Sequence, residues 1–252
     1  TNGTGSAVIR HRGNVNFQFV LQWIKDHYTT APETIFMTGM SGGSYGSIFN
    51  YAYVRESFPD ANMYHLGDSG NGVMHEDFQN NGLPNWDVQV PVADGVRLPL
   101  TSTFPGFTYD LTIHQIYSAI ANYYSDDTFA QFSRAWDVTQ TYFYNVMANI
   151  DNPGEEGANW ENYEPVWCYW NEKLFENIDT TVASIPGGNY RYFLSAGKEH
   201  TVLMSNDFYT MASENGIILT DWIEAMLLGD SSFENLRCTG DCGKPVECPD
   251  CP

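Results

Sequence analysis

An α/β fold, with a mainly parallel sheet flanked by helices, is the architecture the sequence predicts. Three observations carry it. Short apolar runs alternate with segments of helical period, a Gly-Met-Ser-Gly-Gly pentapeptide at 39–43 lies between one of each, and 252 residues suffice for a single sizeable core.

Val15–Tyr28 places Phe17, Val20, Leu21 and Ile24 on one helical face, and Thr34–Thr38 follows as a strand. Ser44–Glu56 is helix-like, and Ala61–Leu66 reads as a second strand ending at Gly67-Asp68-Ser69-Gly70. Asn80–Pro105, rich in Gly, Pro, Asn and Asp, predicts a long surface excursion of the kind that builds lids or substrate walls. Helical patterns are expected over Leu111–Tyr124 and Thr128–Asn149, the second carrying core aromatics Phe129, Phe132 and Trp136. A polar break spans Asp151–Asn159, and Tyr190–Ala196 predicts a late strand leading into Gly197-Lys198-Glu199-His200. The expected division is a catalytic-type domain over 1–237 and a Cys-rich tail over 238–252, tied down by covalent bonds.

Composition narrows the function. Eleven Lys and Arg against 31 Asp and Glu give a net charge of −20, which repels phosphate backbones and anionic lipids and argues against a nucleic-acid partner. No apolar stretch is long enough to span a membrane. The chain starts at Thr1 without a signal peptide, so a mature product or a fragment is expected, and Asn2-Gly3-Thr4 matches a glycosylation acceptor pattern.

The pentapeptide is a G-x-S-x-G pattern with a strand before and a helix after, the context of a nucleophile elbow. Ser41 is the expected nucleophile, and the Gly42 N–H is half of an oxyanion hole. A serine hydroxyl needs a histidine base and a carboxylate to hold the imidazole. In α/β-hydrolases these follow in the order Ser, Asp or Glu, His. His200 alone follows a late strand, since His11 precedes Ser41 and His27, His65, His75 and His114 lie early in the chain. Asp68, Asp110, Asp126, Asp127, Asp137 and Asp179 all fall between Ser41 and His200, and chain order does not choose among them.

Gly39–Gly46, His65-Leu-Gly-Asp-Ser-Gly70, and Gly197-Lys-Glu-His-Thr201 with Phe208-Tyr209 downstream resemble the pectin acetylesterase and Notum family of carboxylesterases. His11-Arg-Gly-Asn-Val-Asn16 is similar to the stretch opening the helix before the elbow strand. The resemblance implies a secreted α/β-hydrolase that removes acyl groups, acetyl above all, from carbohydrate hydroxyls without a cofactor. It assigns the triad acid to Asp137, in Trp136-Asp137-Val-Thr-Gln140, with Asp68 the second choice. Gly42 stands where the family has alanine. The family's glycine-rich Trp-Cys segment, which supplies further oxyanion donors, has no counterpart before residue 41. The resemblance therefore implies that the first strands of the sheet belong to an upstream segment. A Notum-like branch would act on a lipid-modified protein, through a pocket for which Phe104, Phe107, Tyr109 and Ile113 are candidate linings. The competing expectation is a non-catalytic binding protein on a hydrolase scaffold.

Five cysteines remain. Cys238, Cys242, Cys248 and Cys251 crowd the tail at a spacing too tight for a zinc site, so two disulfides are expected there and no metal. Cys168 is left over, as a free thiol or as the partner of a cysteine upstream.

Overall fold

Five parallel strands form the sheet, in the spatial order β1 (Thr34–Met40), β2 (Asn62–Asp68), β5 (Thr128–Arg134), β6 (Tyr190–Ser195) and β7 (Leu236–Arg237). The computed structural model describes residues 12–82, 92–93, 96–97, 112–149 and 166–246. The sequon at Asn2, His11, Asp110, most of the 80–105 excursion, Phe104, Phe107, Tyr109, the break at 151–159, Cys248 and Cys251 lie outside these residues. Within the excursion, β3 (Val92–Ala93) and β4 (Val96–Arg97) pair antiparallel.

The α/β architecture expected from the alternating pattern is present. Helix α1 (Gly13–His27) leads into β1, and α2 (Gly42–Ser57) connects β1 to β2. Helix α3 (Ile113–Tyr123) precedes β5, α4 (Val138–Ala148) and α5 (Trp167–Ala183) lie between β5 and β6, and α6 (Leu219–Leu228) precedes β7. Local chemistry sets several boundaries. Thr112 and Gln115 form a reciprocal capping box that starts α3, and Gly229 in the left-handed region ends α6.

Both faces of the sheet are covered. Met63, Phe129, Tyr190, Tyr192 and Leu194 pack with Ile48, Tyr51, Ile116, Ile120, Trp170 and Leu174 of α2, α3 and α5. Leu66, Ala130, Phe132 and Phe193 point the other way, onto Leu219, Trp222 and Met226 of α6. The strand residues alternate between these two layers, as the period of a strand requires.

Thr128–Asn149 is a strand followed by a helix, not one helix. The spacing of Phe129 and Phe132 imitates a helical stripe. As the middle strand, however, β5 is buried on both sides, so its solvent-facing alternation is lost and its periodicity misleads. On α1, Leu21 is buried with Phe17 and Ile24 against it, while Val20 is exposed. Ile113 is a core residue, in the same buried cluster as side chains of α2 and α5.

Cys238 and Cys242 form a disulfide, which removes both from any metal site. Cys168 is disulfide-bonded too, so it is neither a free thiol nor one awaiting an upstream partner. The tail packs on the domain: Cys238 and Cys242 share a buried cluster with Ala135, Trp136 and Trp167, and the Trp136 indole N–H donates to the Asp241 carbonyl at 2.7 Å.

Candidate active site

Between β1 and α2 the chain turns on one residue. Ser41 has φ 53° and ψ −125°, a conformation that L-residues avoid, and it occupies the N-cap position of α2. A serine there ordinarily caps the helix with its hydroxyl, but Ser41 makes no such bond, so the hydroxyl is left for other work. The turn needs Gly39, because a Cβ at that position would come within 2.0 Å of the Gly43 carbonyl oxygen. Gly42 opens α2 and is exposed, so its N–H is one of the donors a helix start leaves unbonded, at the positive end of the helix dipole.

Three residues beyond β5, Asp137 caps α4. Its Oδ1 accepts from the backbone N–H groups of Thr139 and Gln140 at 3.0 and 2.9 Å, and its Oδ2 accepts from the Gln140 side chain at 2.9 Å. The carboxylate is fully buried, and its remaining capacity goes to His200 Nδ1, 2.8 Å from Oδ2. A carboxylate only accepts, so Nδ1 carries the proton and Nε2 is the bare lone pair. That Nε2 is buried and has no hydrogen-bond partner among the described residues.

The two loops run side by side because Trp136 and Val138 donate their N–H groups to the carbonyls of Gly197 and Lys198, at 3.0 Å each. Gly197 in turn donates to the Cys242 carbonyl at 3.0 Å, so the disulfide loop backs the segment leading to His200. Arg134 is nearly buried and pairs with Asp207 at 2.6 Å and Glu199 at 3.4 Å, fixing the far side of the same loop.

Asp68, the second choice for the acid, makes no hydrogen bond to His200, whose charge acts on it only through space. Its backbone carbonyl accepts the Ser41 N–H at 2.8 Å, while its Oδ2 accepts the N–H groups of Val202 and Leu203 at 2.8 and 2.9 Å. One residue at the end of β2 thereby brings the elbow and the histidine loop together. Ser41 and His200 are not hydrogen-bonded to each other.

The other candidate carboxylates have different duties. Asp127 pairs with Arg55 and accepts from the Tyr51 hydroxyl, both at 2.9 Å, and Asp179 pairs with Arg237. Among the other histidines, His65 is wholly buried against Tyr51, Tyr117 and Phe129, with Nε2 2.8 Å from the Ser47 hydroxyl. Burial pushes its pKa down to about 3, so it is neutral core rather than chemistry.

Sequence reasoning did not single out Ser69 or Thr201. Both adopt positive φ, 56° and 59°, and the Thr201 N–H donates to the Ser69 hydroxyl at 3.1 Å. Neither residue type signals such a conformation locally. Among the described residues no group of His, Cys, Asp and Glu is placed to hold a metal ion, and no helix is long and apolar enough to cross a membrane.

No protein-family model matches the chain, and a comparison with curated proteins finds no match.

Proposed function

We propose that this chain is a secreted serine carboxylesterase of the α/β-hydrolase type, which removes acyl groups, acetyl foremost, from the hydroxyls of an extracellular carbohydrate. One observation carries the chemistry: His200 holds its Nδ1–H on a buried carboxylate while Nε2 has no partner among the described residues, and Asp68 ties the histidine loop to an elbow serine whose hydroxyl does not cap its helix. The acetyl and carbohydrate preference is supported by the motif resemblance to pectin acetylesterases alone. The secreted setting is supported by that resemblance and by the disulfides.

In the proposed reaction the Ser41 oxygen attacks the ester carbonyl as its proton passes to His200 Nε2. The oxyanion is held by the Gly42 N–H at the head of α2. Collapse expels the sugar oxygen, which takes the proton from His200 and leaves an acyl-Ser41. Water attacks that acyl group, its proton again going to Nε2, and acetate departs as Ser41 is restored. Asp137 stays ionised throughout, holding the tautomer and offsetting the charge on the imidazolium. No step calls for a cofactor.

A fluorophosphonate probe reacts only with an activated serine, so it should label the folded wild-type chain, and Ser41→Ala and His200→Ala should abolish labelling together with acetate release from an O-acetylated polysaccharide. Equal labelling of Ser41→Ala would overturn the nucleophile assignment. A folded wild-type chain that never labels would favour the non-catalytic scaffold instead.

A further inference from the structure

We propose that Asp68 and Ser69 are an anchor that sets the spacing between nucleophile and base, with Asp68 acting as a positioning residue through opposite ends of itself. The inference rests on the esterase reading and adds a role that the triad does not contain. The Asp68 side chain is fully buried, and no Lys or Arg pairs with it among the described residues. A buried carboxylate without a cation is costly unless neutral donors surround it. Here those donors are specific. The Val202 and Leu203 N–H groups meet Oδ2, and the Ser69 hydroxyl donates to Oδ1 at 2.9 Å while accepting from the Thr201 N–H. Three consecutive amides directly after His200 thus converge on two adjacent residues, Asp68 supplying the acceptor for two of them and Ser69 for the third.

The other end of Asp68 is its carbonyl, which holds the Ser41 N–H. The elbow and the histidine loop, 160 residues apart, are therefore referenced to one rigid point at the end of an interior strand. Strain follows the same line. Among the described residues, Ser41, Ser69 and Thr201 are three of the four non-glycine residues at positive φ, and each belongs to this set of bonds. Backbone in that region persists only where its surroundings over-determine it. The close fit also excludes side chains nearby: a Cβ on Gly70 would fall 2.4 Å from the Ser44 Cβ and 3.0 Å from the Ser41 carbonyl oxygen.

The test uses Asp68→Ala, Asp68→Asn and Ser69→Ala in the full chain, with the rate and end point of fluorophosphonate labelling, kcat and KM on an acetyl ester, and amide exchange at 201–203. In Asp68→Ala the labelling rate and kcat should fall about 10²-fold, the penalty of misplacing a reacting group, with KM almost unchanged. Labelling should still run to one probe per chain, and the Val202 and Leu203 amides should exchange faster. Asp68→Asn keeps one acceptor oxygen and should recover part of the rate. Ser69→Ala, the milder change should Asp68→Ala not fold, should slow labelling less and expose the Thr201 amide. Wild-type labelling rates in folded Asp68→Ala, or a loss confined to the end point as misfolding would give, overturns the anchor. If the wild type never labels while exchange at 202–203 still responds, the esterase reading fails and the loop anchor stands.

Discussion

The two ends of the sheet use the same strands for opposite purposes. At the amino ends, charged and donor groups are paired. Asp127 is neutralised by Arg55 and Tyr51, and the Asn189 amide reaches the carbonyls of Ala121, Tyr124 and Asp127 at 3.0, 3.2 and 2.9 Å. At the carboxyl ends of β1, β2, β5 and β6 stand Ser41, Asp68, Asp137 and His200. There the backbone is strained, and a buried carboxylate holds an imidazole whose far nitrogen has no partner among the described residues. Ligands of open parallel sheets gather at the carboxyl ends. The contrast teaches that burial alone does not separate a structural polar cluster from a chemical one. The separating features are an imidazole held on a buried carboxylate and strain that the surroundings hold in place.

The sharpest break in that comparison is Asp137→Asn. The amide keeps the shape and can still accept from the α4 amides, but toward His200 it presents a donor and favours the tautomer with hydrogen on Nε2. Turnover of an acetyl ester should fall about 10⁴-fold with the fold intact. A loss below about tenfold in kcat would remove Asp137 from the triad.

A second, pH-dependent contrast sets His65 against His200. His65 is folded into the core neutral, its pKa lowered by burial from 6.5 to about 3. The unfolded chain takes up this proton below about pH 6.5, where the native chain does not, so the stability from neutral His65 is complete above pH 6.5 and drains away as pH falls toward 3. The displacement amounts to about 5 kcal/mol at the acid limit. His65→Gln should therefore flatten the loss of stability between pH 6 and 4 in urea titrations (about two pH units inside that window), and an unaltered slope would count against a neutral core role.

At the amino end, Asp127→Ala strands the Tyr51 hydroxyl and the Arg55 guanidinium. It should destabilise the chain by about 3 kcal/mol in urea unfolding. Its fluorophosphonate labelling rate should match wild type, because nothing at that end touches Ser41 or His200. A slowed rate at unchanged fold would erase the division between the ends.

What was legible in the sequence was what is local. The elbow needs Gly39 two residues before Ser41, and the late strand points directly to His200, so both could be read from short windows. Strand β5 was not legible, since Phe129 and Phe132, three residues apart, imitate a helical stripe and burial on both faces leaves no polar alternation to contradict it. Helix α5 was missed although Trp167, Trp170, Leu174 and Ile178 form a buried stripe. Asp137 was assigned from motif resemblance, as the residues between Ser41 and His200 offered several carboxylates. The work of Asp68 is beyond any local pattern, because two of its donors lie 134 and 135 positions away. The bond at Cys168 is hidden for the same reason: pairing is a property of the folded path, not of spacing.

Ser41→Gly gives the smallest effect and bears on the claim of stored strain. At φ 53° and ψ −125° a Cβ is penalised, while glycine reaches such angles freely. The wild-type hydroxyl makes no cap bond to α2, so its removal costs the helix no such interaction. Two terms then compete: relief of strain in the native state, about 1–3 kcal/mol, and the greater freedom of glycine in the unfolded chain, about 0.5–1 kcal/mol. The first is larger, so Ser41→Gly should raise the urea midpoint even as it abolishes labelling, whereas Ser41→Ala keeps the Cβ and should leave the midpoint near wild type. A protein that loses activity and gains stability at one position holds that conformation for chemistry. If Ser41→Gly unfolds earlier than Ser41→Ala, the elbow is unstrained and the contrast between the two ends of the sheet rests on the Asp137–His200 pair alone.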